Sequence, residues 1–364
     1  FILAGNIMAA GGVSRRLVNL AGALFGRMSG GLALVATLAS TFFGAVSGSA
    51  PATTAAIGGV MLGPMGEKGY DKNFAGAVVA ASGTIGLIIP PSLTMVLYGV
   101  TTGVSIGEMF IAGIIPGIII CIVLMVVEYF ISLKRGYKGD EAASFKTVSR
   151  YFRESVFALF MPVIILGGIY AGIFTPTESA AVAVVYGLIV GIFIHKELSW
   201  KDVSKLILKS AKSTALVMYL MVTAEILSYV LVSEQIPQTI AASILNISTN
   251  AIVVQLIMVF ILLVVGTFLN NSAAMVLLAP IFYPIIMSLG IDPLFFGIIM
   301  VISLAIGHNT PPVGLCLFIA CDIGNLKLES LVKEIVPLVA ALIATVVTLN
   351  FFPDVILFLP RLMR

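Results

Sequence analysis

Charge is what this chain most lacks. Of its 364 residues only 10% are Asp, Glu, Lys or Arg, while 60% are hydrophobic. A soluble domain carries about 25% charged residues, so a water-soluble globular fold is excluded and a polytopic membrane protein is indicated. The formal net charge of +3 is small and its cations sit in loops, which leaves no basic surface for nucleic acid. Cysteine and histidine are scarce too, with three and two residues. Cys121, Cys316 and Cys321 each lie inside an apolar run, without the pairing of a disulfide framework or the spacing of a zinc site. They read as small buried hydrophobes. The chain opens at Phe1 already within an apolar run, which points to sequence upstream.

What is abundant is glycine and proline, and they repeat. Gly69, Asp71, Gly76, Gly86, Pro90, Pro91, Glu108 and Pro116 return 221 residues later as Gly290, Asp292, Gly297, Gly307, Pro311, Pro312, Glu329 and Pro337, without a gap. In an apolar chain, helices interrupted by Gly and Pro at matching places in two halves point to a transporter's binding site. The first half comprises residues 1–135, the second residues 213–364, and 136–212 join them.

Each half also holds an uncharged stretch broken at its centre. Residues 30–66 break at Ser47-Gly48-Ser49-Ala50-Pro51, and 250–289 break at Thr267–Ser272 around Asn270-Asn271-Ser272. The arms of the first are short for a span, which needs about 20 residues, so both predict re-entrant hairpins. Irregular backbone at membrane depth survives only inside protein or against a water-filled cavity, so the tips belong at a site. Residues 74–102 and 294–321 predict crossing helices in two halves. Proline removes a backbone donor and disfavours helical angles in the residue before it; the first segment breaks near Gly83-Thr84-Ile85-Gly86 and again at Pro90-Pro91, the second at Gly307-His308-Asn309-Thr310 before Pro311-Pro312. The fold expected is therefore all-α, with inverted repeats, two re-entrant hairpins and two discontinuous helices, as in elevator-type ion transporters.

Between the hairpins the chain predicts plainer elements. Residues 1–10 end one helix, and 17–28 form an amphipathic one. Residues 107–133 form an ordinary span, and a Lys/Arg-rich loop over 134–154 lies in the cytoplasm by the positive-inside rule. Spans follow over 155–174 and 178–194. Thr175-Pro176-Thr177-Glu178 between them has the form of a capping box; Glu178 reads either as that cap or as a transport residue. Residues 199–212, with Lys201, Lys205, Lys209 and Lys212, predict an interfacial brace, followed by a crossing over 213–233 and a short helix over 236–247. The last span covers 335–359. Glu225 and Asp322, inside apolar segments, read as functional groups or as helix-end and structural ones. Counting crossings from a cytoplasmic residue 74 sets 294–321 antiparallel to 74–102, so the repeats are inverted.

Two-fold pseudosymmetry would gather both tips and both breaks at the midplane. Helix N-termini there suit a carboxylate, and unwound carbonyls suit a small cation. The side chains available are neutral donors and acceptors: Ser47, Ser49, Thr53, Thr54, Thr84, Ser92, Asn270, Asn271, Ser272, Asn309 and Thr310. Such oxygens match sodium. No Asp, Glu, Lys or Arg lies at a tip or break, and a proton-coupled carrier usually needs an intramembrane carboxylate or imidazole, here only His308. Sodium coupling of an organic anion is the favoured reading. Ser49, Thr53, Thr54, Asn271, Ser272, His308 and Asn309 are the candidate substrate ligands. Small polar residues also pack membrane helices together, and His308 reads equally as a hydrogen-bonded structural residue.

At these positions the sequence resembles the DctM-like large membrane subunit of tripartite ATP-independent periplasmic (TRAP) transporters. The matching stretches are FILAGNIM (1–8), SGSAPATTAAIG (47–58), GLIIPPS (86–92), GGIYAGIFTPTESAAVA (167–183), LLAPIFYPII (277–286) and TPPVGLCLF (310–318). The family's first two helices have no counterpart here. The resemblance implies a sodium-driven importer of the bacterial inner membrane that works as an elevator. Its partners would be a small four-helix membrane subunit and a periplasmic binding protein. It implies two or more sodium ions, one at Ser47, Ser49, Gly83 and Gly86, another at Asn270, Gly307 and Thr310 with Asn309 nearby. Sialic-acid members often read SGSAVADT; Pro51 and Thr53 replace the Val and Asp, and Asn270 stands where many members are acidic. Both departures remove negative charge and favour a C4-dicarboxylate or another small carboxylate. A stand-alone sodium/dicarboxylate symporter of related design is the alternative. An intramembrane enzyme would need a nucleophile–base pair or metal cluster at depth, which the sequence does not present; a channel would show ohmic conductance.

Overall fold

The computed structural model describes residues 1–139, 143–235, 239 and 250–363, with the side chains of 224, 225, 228, 231 and 232 also left aside. The expected 236–247 helix and the side chain of Glu225 therefore lie outside the described residues. Among the described residues every regular element is helical. Eight helices are long and apolar enough to cross a membrane.

The first half begins with α1 (Ile2–Ala10) and α2 (Val13–Phe25). The first hairpin follows as α3 (Gly31–Ser47) and α4 (Ala50–Glu67), turning through only Gly48 and Ser49. The broken helix comprises α5 (Lys72–Gly83), α6 (Ile85–Ile88) and α7 (Leu93–Thr102). Its real break is the extended stretch from Ile89 to Ser92; at Thr84 the chain stays near helical angles. A 30-residue span, α8 (Ile106–Arg135), closes this half.

The second half returns the same parts: α12 (Ala251–Phe268), α13 (Asn271–Ser288), α14 (Pro293–Gly307), α15 (Leu315–Gly324), α16 (Leu328–Asn350) and α17 (Pro353–Leu362). Adding 221 to the bounds of α4 gives the bounds of α13. The helix starts repeat too. Asp71 caps α5 by accepting from Asn73 and Phe74, and Asp292 caps α14 by accepting from Leu294 and Phe295. Ser49 and Asn270, again 221 apart, cap α4 and α13. Both Pro–Pro bonds, Pro90–Pro91 and Pro311–Pro312, are cis.

The halves are interlocked rather than side by side. Hairpin arm α4 packs on its own α5 and on α15 of the other half, while α13 packs on its own α14 and on α7. Tyr98 of α7 donates to the carbonyl of Pro293 at 2.8 Å, and Arg135 at the end of α8 pairs with Glu334 of α16 at 2.6 Å. Among the described residues four span-length helices lie between the first broken helix and the second hairpin. With the hairpin returning to the side it left, the two broken helices run in opposite directions.

The connecting region differs from expectation in two places. The Lys/Arg-rich segment is not a loop down to residue 154, because α9 runs from Phe145 to Tyr170 and includes Arg150 and Arg153 in its first turns. Next come α10 (Pro176–Ile189) and a π-helical turn over Val190–Ile194. The capping box at α10 is formed: Thr175 accepts from the Glu178 backbone, and the Glu178 carboxylate accepts from Thr175 N–H at 2.8 Å. The predicted brace and the crossing after it are one helix, α11 (Trp200–Ser233). The stretch contains no Gly or Pro to end it; its lysines change how the helix is solvated, not whether it continues. The last span likewise starts earlier than expected, and α16 stops at Asn350 before the short α17.

Candidate functional site

Both hairpins reach their broken helices through glycine. A methyl placed at Gly44 of α3 would lie 2.8 Å from the Cα of Gly86, and one at Gly307 would lie 2.4 Å from the carbonyl carbon of Gly266 in α12. Side chains at these points would push arm and helix apart, so the close approach depends on four glycines. The first tip also touches the unwound segment: Gly48, at φ +61°, sits so near Pro91 that an added methyl would meet its carbonyl oxygen at 2.4 Å. Leu93 N–H donates to the Gly48 carbonyl at 3.5 Å.

This brings the first group of predicted residues together. Ser47 and Thr53 share a hydrogen bond of 2.8 Å between their hydroxyls across the tip. A methyl at Gly86 would lie 2.3 Å from Thr53 Oγ1 and 2.9 Å from the Ser49 carbonyl oxygen; one at Gly83 would lie 1.9 Å from Thr54 Oγ1. Ser47, Ser49, Thr53, Thr54, Gly83 and Gly86 thus form one neighbourhood rich in neutral oxygens.

The second group is amide-rich. Asn270 accepts from the Ser272 backbone at 2.9 Å and is itself exposed. Asn271, the first residue of α13, is 2% exposed, and neither of its amide atoms has a partner. His308 is 3% exposed with both ring nitrogens unpartnered; Asn309 is fully buried with both amide atoms unpartnered. Buried polar groups are nearly always hydrogen-bonded, and leaving one unsatisfied costs about 1–3 kcal/mol. Thr310 is half-buried and donates to the Ile306 carbonyl at 3.2 Å.

A cavity of about 480 Å³ lies where the two groups meet. Ser47, Ser49, Asn270, Asn271, Ser272 and His308 all line it. Thr53, Thr54, Gly83, Gly86, Gly307, Asn309 and Thr310 are not on its wall; the first four stand behind the first tip, and the last three at the second helix break. Another part of the wall is built from α1 and α11, through Asn6, Lys209 and Ser213 among others. Asn6 donates to Ser210 of α11 at 2.9 Å, joining these two helices. A methyl at Gly5 would lie 2.9 Å from the Ser47 carbonyl oxygen, so α1 rests directly against the first tip.

Four polar wall residues were not among those expected: Thr94, Asn6, Lys209 and Ser213. Thr94 is 1% exposed with an unpartnered hydroxyl, as is Ser92 at the break itself. Its signal was its place in the first turn of α7, just past the proline break. Asn6 sits in what read as the end of one helix, and Ser213 at the start of what read as a plain crossing. Glu128 was also missed, inside what read as an ordinary span. It is fully buried on α8, and both its oxygens lie within hydrogen-bond range of the Thr37 hydroxyl of α3, at 2.6 and 2.8 Å. Asp322 is exposed. Among the described residues no three His, Cys, Asp or Glu side chains converge to hold a metal ion. The chemistry on offer is that of neutral oxygens, amides, one imidazole and the ammonium of Lys209.

Known proteins match this chain along nearly its full length. A family described as "Tripartite ATP-independent periplasmic transporter, DctM component" matches residues 1–355. The isethionate TRAP transporter permease protein DctMQ of Oleidesulfovibrio alaskensis is 46% identical over 359 residues, which is 98% of this chain and 56% of that protein. The C4-dicarboxylate TRAP transporter large permease protein DctM of Pseudomonas aeruginosa is 40% identical over 361 residues, covering 99% and 84%. The sialic acid TRAP transporter large permease protein SiaM of Vibrio cholerae is 37% identical over 362 residues, covering 100% and 85%. The chain therefore spans little more than half of the first of these and most of the other two. In fold it is similar to the YdaH transporter of Alcanivorax borkumensis, with a TM-score of 0.62 at 16% identity, covering 96% of this chain and 84% of that one. The chain belongs to the DctM family, the large permease component of tripartite ATP-independent periplasmic transporters, and is a multi-pass protein of the inner membrane.

Proposed function

We propose that this chain is the sodium-coupled, substrate-translocating part of an importer for a small organic-acid anion. The carrying observation is the set of unpartnered, buried polar atoms on Asn271 and His308, which line a cavity shared by both hairpin tips, with Asn309 next in the chain behind them. Such atoms recover their hydrogen-bonding cost when a polar ligand enters. The start of α13 adds free backbone N–H groups and a positive dipole end, which favour an anion. Ser47, Ser49 and Thr53, with the nearby carbonyls, offer the hard neutral oxygens that suit sodium as the co-transported ion. Asn270 and Thr310, with the carbonyl of Gly307, are the corresponding donors in the second half.

The interlocked hairpins and broken helices support one moving body sliding against α1 and α11, which is an elevator. A small four-helix membrane subunit and a periplasmic binding protein complete the assembly in this reading. A C4-dicarboxylate is the leading substrate, given the relative named for that class and the loss of acidic residues at Thr53 and Asn270. A short sulfonate is the second reading, because a relative 46% identical is named for isethionate.

The test is uptake of labelled succinate and isethionate into proteoliposomes holding the full-length protein and the small subunit. We expect uptake to require an inward sodium gradient and the delivery protein. Equal uptake with potassium replacing sodium would overturn the coupling, and equal uptake without the delivery protein would overturn the tripartite reading.

A further inference from the structure

The part of the cavity wall formed by α11 carries a positive charge that the tips lack. Lys209, Ser213, Leu216, Val217 and Leu220 line the cavity from one face of α11, at spacings of about one helical turn. Among the described residues on that wall Lys209 is the one charged side chain. It makes no ion pair with any described residue, whereas Arg16, Arg135, Arg150 and Arg361 all do. Its neighbour Ser210 is 4% exposed and held by Asn6, which fixes the rotation of α11 at this turn. The face is graded: ammonium and hydroxyl at one end, three aliphatic side chains at the other.

We infer that Lys209 pairs with the anionic end of the substrate from the α11 side of the cavity, and that the aliphatic end of the α11 face receives its carbon chain. This rests on the reading of the protein as an organic-anion carrier. In a cavity whose other polar groups are neutral, one ammonium selects acids over uncharged molecules of the same size. An ion-assisted hydrogen bond is about twice as strong as a neutral one. Because Lys209 belongs to α11 and the amides belong to the hairpins, the anion is held by two bodies at once. Sliding of one past the other would pull it from the lysine.

The test compares Lys209→Met, Lys209→Arg and Lys205→Met in the reconstituted full-length transporter, using succinate and isethionate as probes. Lys205 lies one turn away and does not line the cavity. For Lys209→Met we expect the half-saturating concentration to rise about tenfold or more, with the sodium half-saturation unchanged. Lys209→Arg should stay within about threefold of wild type, and Lys205→Met should match it. Uptake by the wild type with unaltered saturation in Lys209→Met would overturn this inference alone. An equal rise in Lys205→Met would also overturn it, since a diffuse surface potential would then be responsible. A wild type that takes up no acid under any sodium gradient would overturn the carrier reading, and this one with it.

Discussion

The two halves share a backbone and differ in chemistry. At the first tip, hydroxyls meet each other: Ser47 is bonded to Thr53, and the Ser49 carbonyl and Thr53 hydroxyl close over Gly86. At the second, the amides of Asn271 and Asn309 and the ring of His308 are buried with nothing to bond. The first neighbourhood pairs hydroxyls at its tip but leaves those of Thr54 and Ser92 unpartnered; the second leaves both amides and the imidazole without a partner. Gene duplication can supply one frame twice, but the frame does not dictate what it holds. In the proposed reading this is a division of labour: the compact oxygen cluster of the first half holds a bare cation, and the second half adds the larger polar ligand to its own cation donors.

That contrast can be broken most directly at Asn271. Asn271→Ala should reduce uptake to background while the folded yield stays near wild type, since its amide supports no structural hydrogen bond. Uptake above about one tenth of wild type would remove Asn271 from the substrate site. Next in size is Gly307→Ala, whose methyl would meet the backbone of Gly266, which cannot rotate away. Overpacking costs about 1–3 kcal/mol, and the thermal midpoint should fall further than for Gly86→Ala, where a Thr53 hydroxyl is among the first atoms met. Ser47→Ala should be milder. It would raise the sodium half-saturation several-fold and leave the substrate half-saturation at saturating sodium close to wild type; the reverse pattern would erase the assigned division. The smallest effects should come from Asp71→Ala and Asp292→Ala. Each removes an equivalent helix cap worth about 1 kcal/mol. Equal losses in chemical denaturation would confirm that the frames match even where the sites do not.

Most of the frame could be read from the sequence because its markers are chemical necessities. Gly and Pro at an offset of 221 announce the repeat, and the capping box at Thr175 announces a helix start. The uncharged runs announce hairpins. These signals are local, since a helix must start somewhere and an unsatisfied N–H must find an acceptor. What stayed hidden depends on which face a helix turns inward. Lys209 looked like one of four lysines on a brace, because nothing in the spacing of Lys201, Lys205, Lys209 and Lys212 reveals that α11 continues to Ser233 and turns this one toward a cavity. The missing Gly and Pro over that stretch held the evidence for continuity. Glu128 was hidden for a similar reason: its partner Thr37 is 91 residues away, and no pattern along the chain records that contact.

The glycine contacts, Gly44 with Gly86 and Gly266 with Gly307, carry one more consequence. Where main chain rests on main chain, no intervening group can change its rotamer and so absorb displacement, and each hairpin is keyed to its broken helix as a rigid die. Variation among relatives that handle different acids is then free to accumulate in the groups projecting from the tips and from the α11 wall, while the joints beneath them stay fixed. Re-tuning such a carrier toward a new cargo should therefore begin at those projecting groups and leave the four glycines alone.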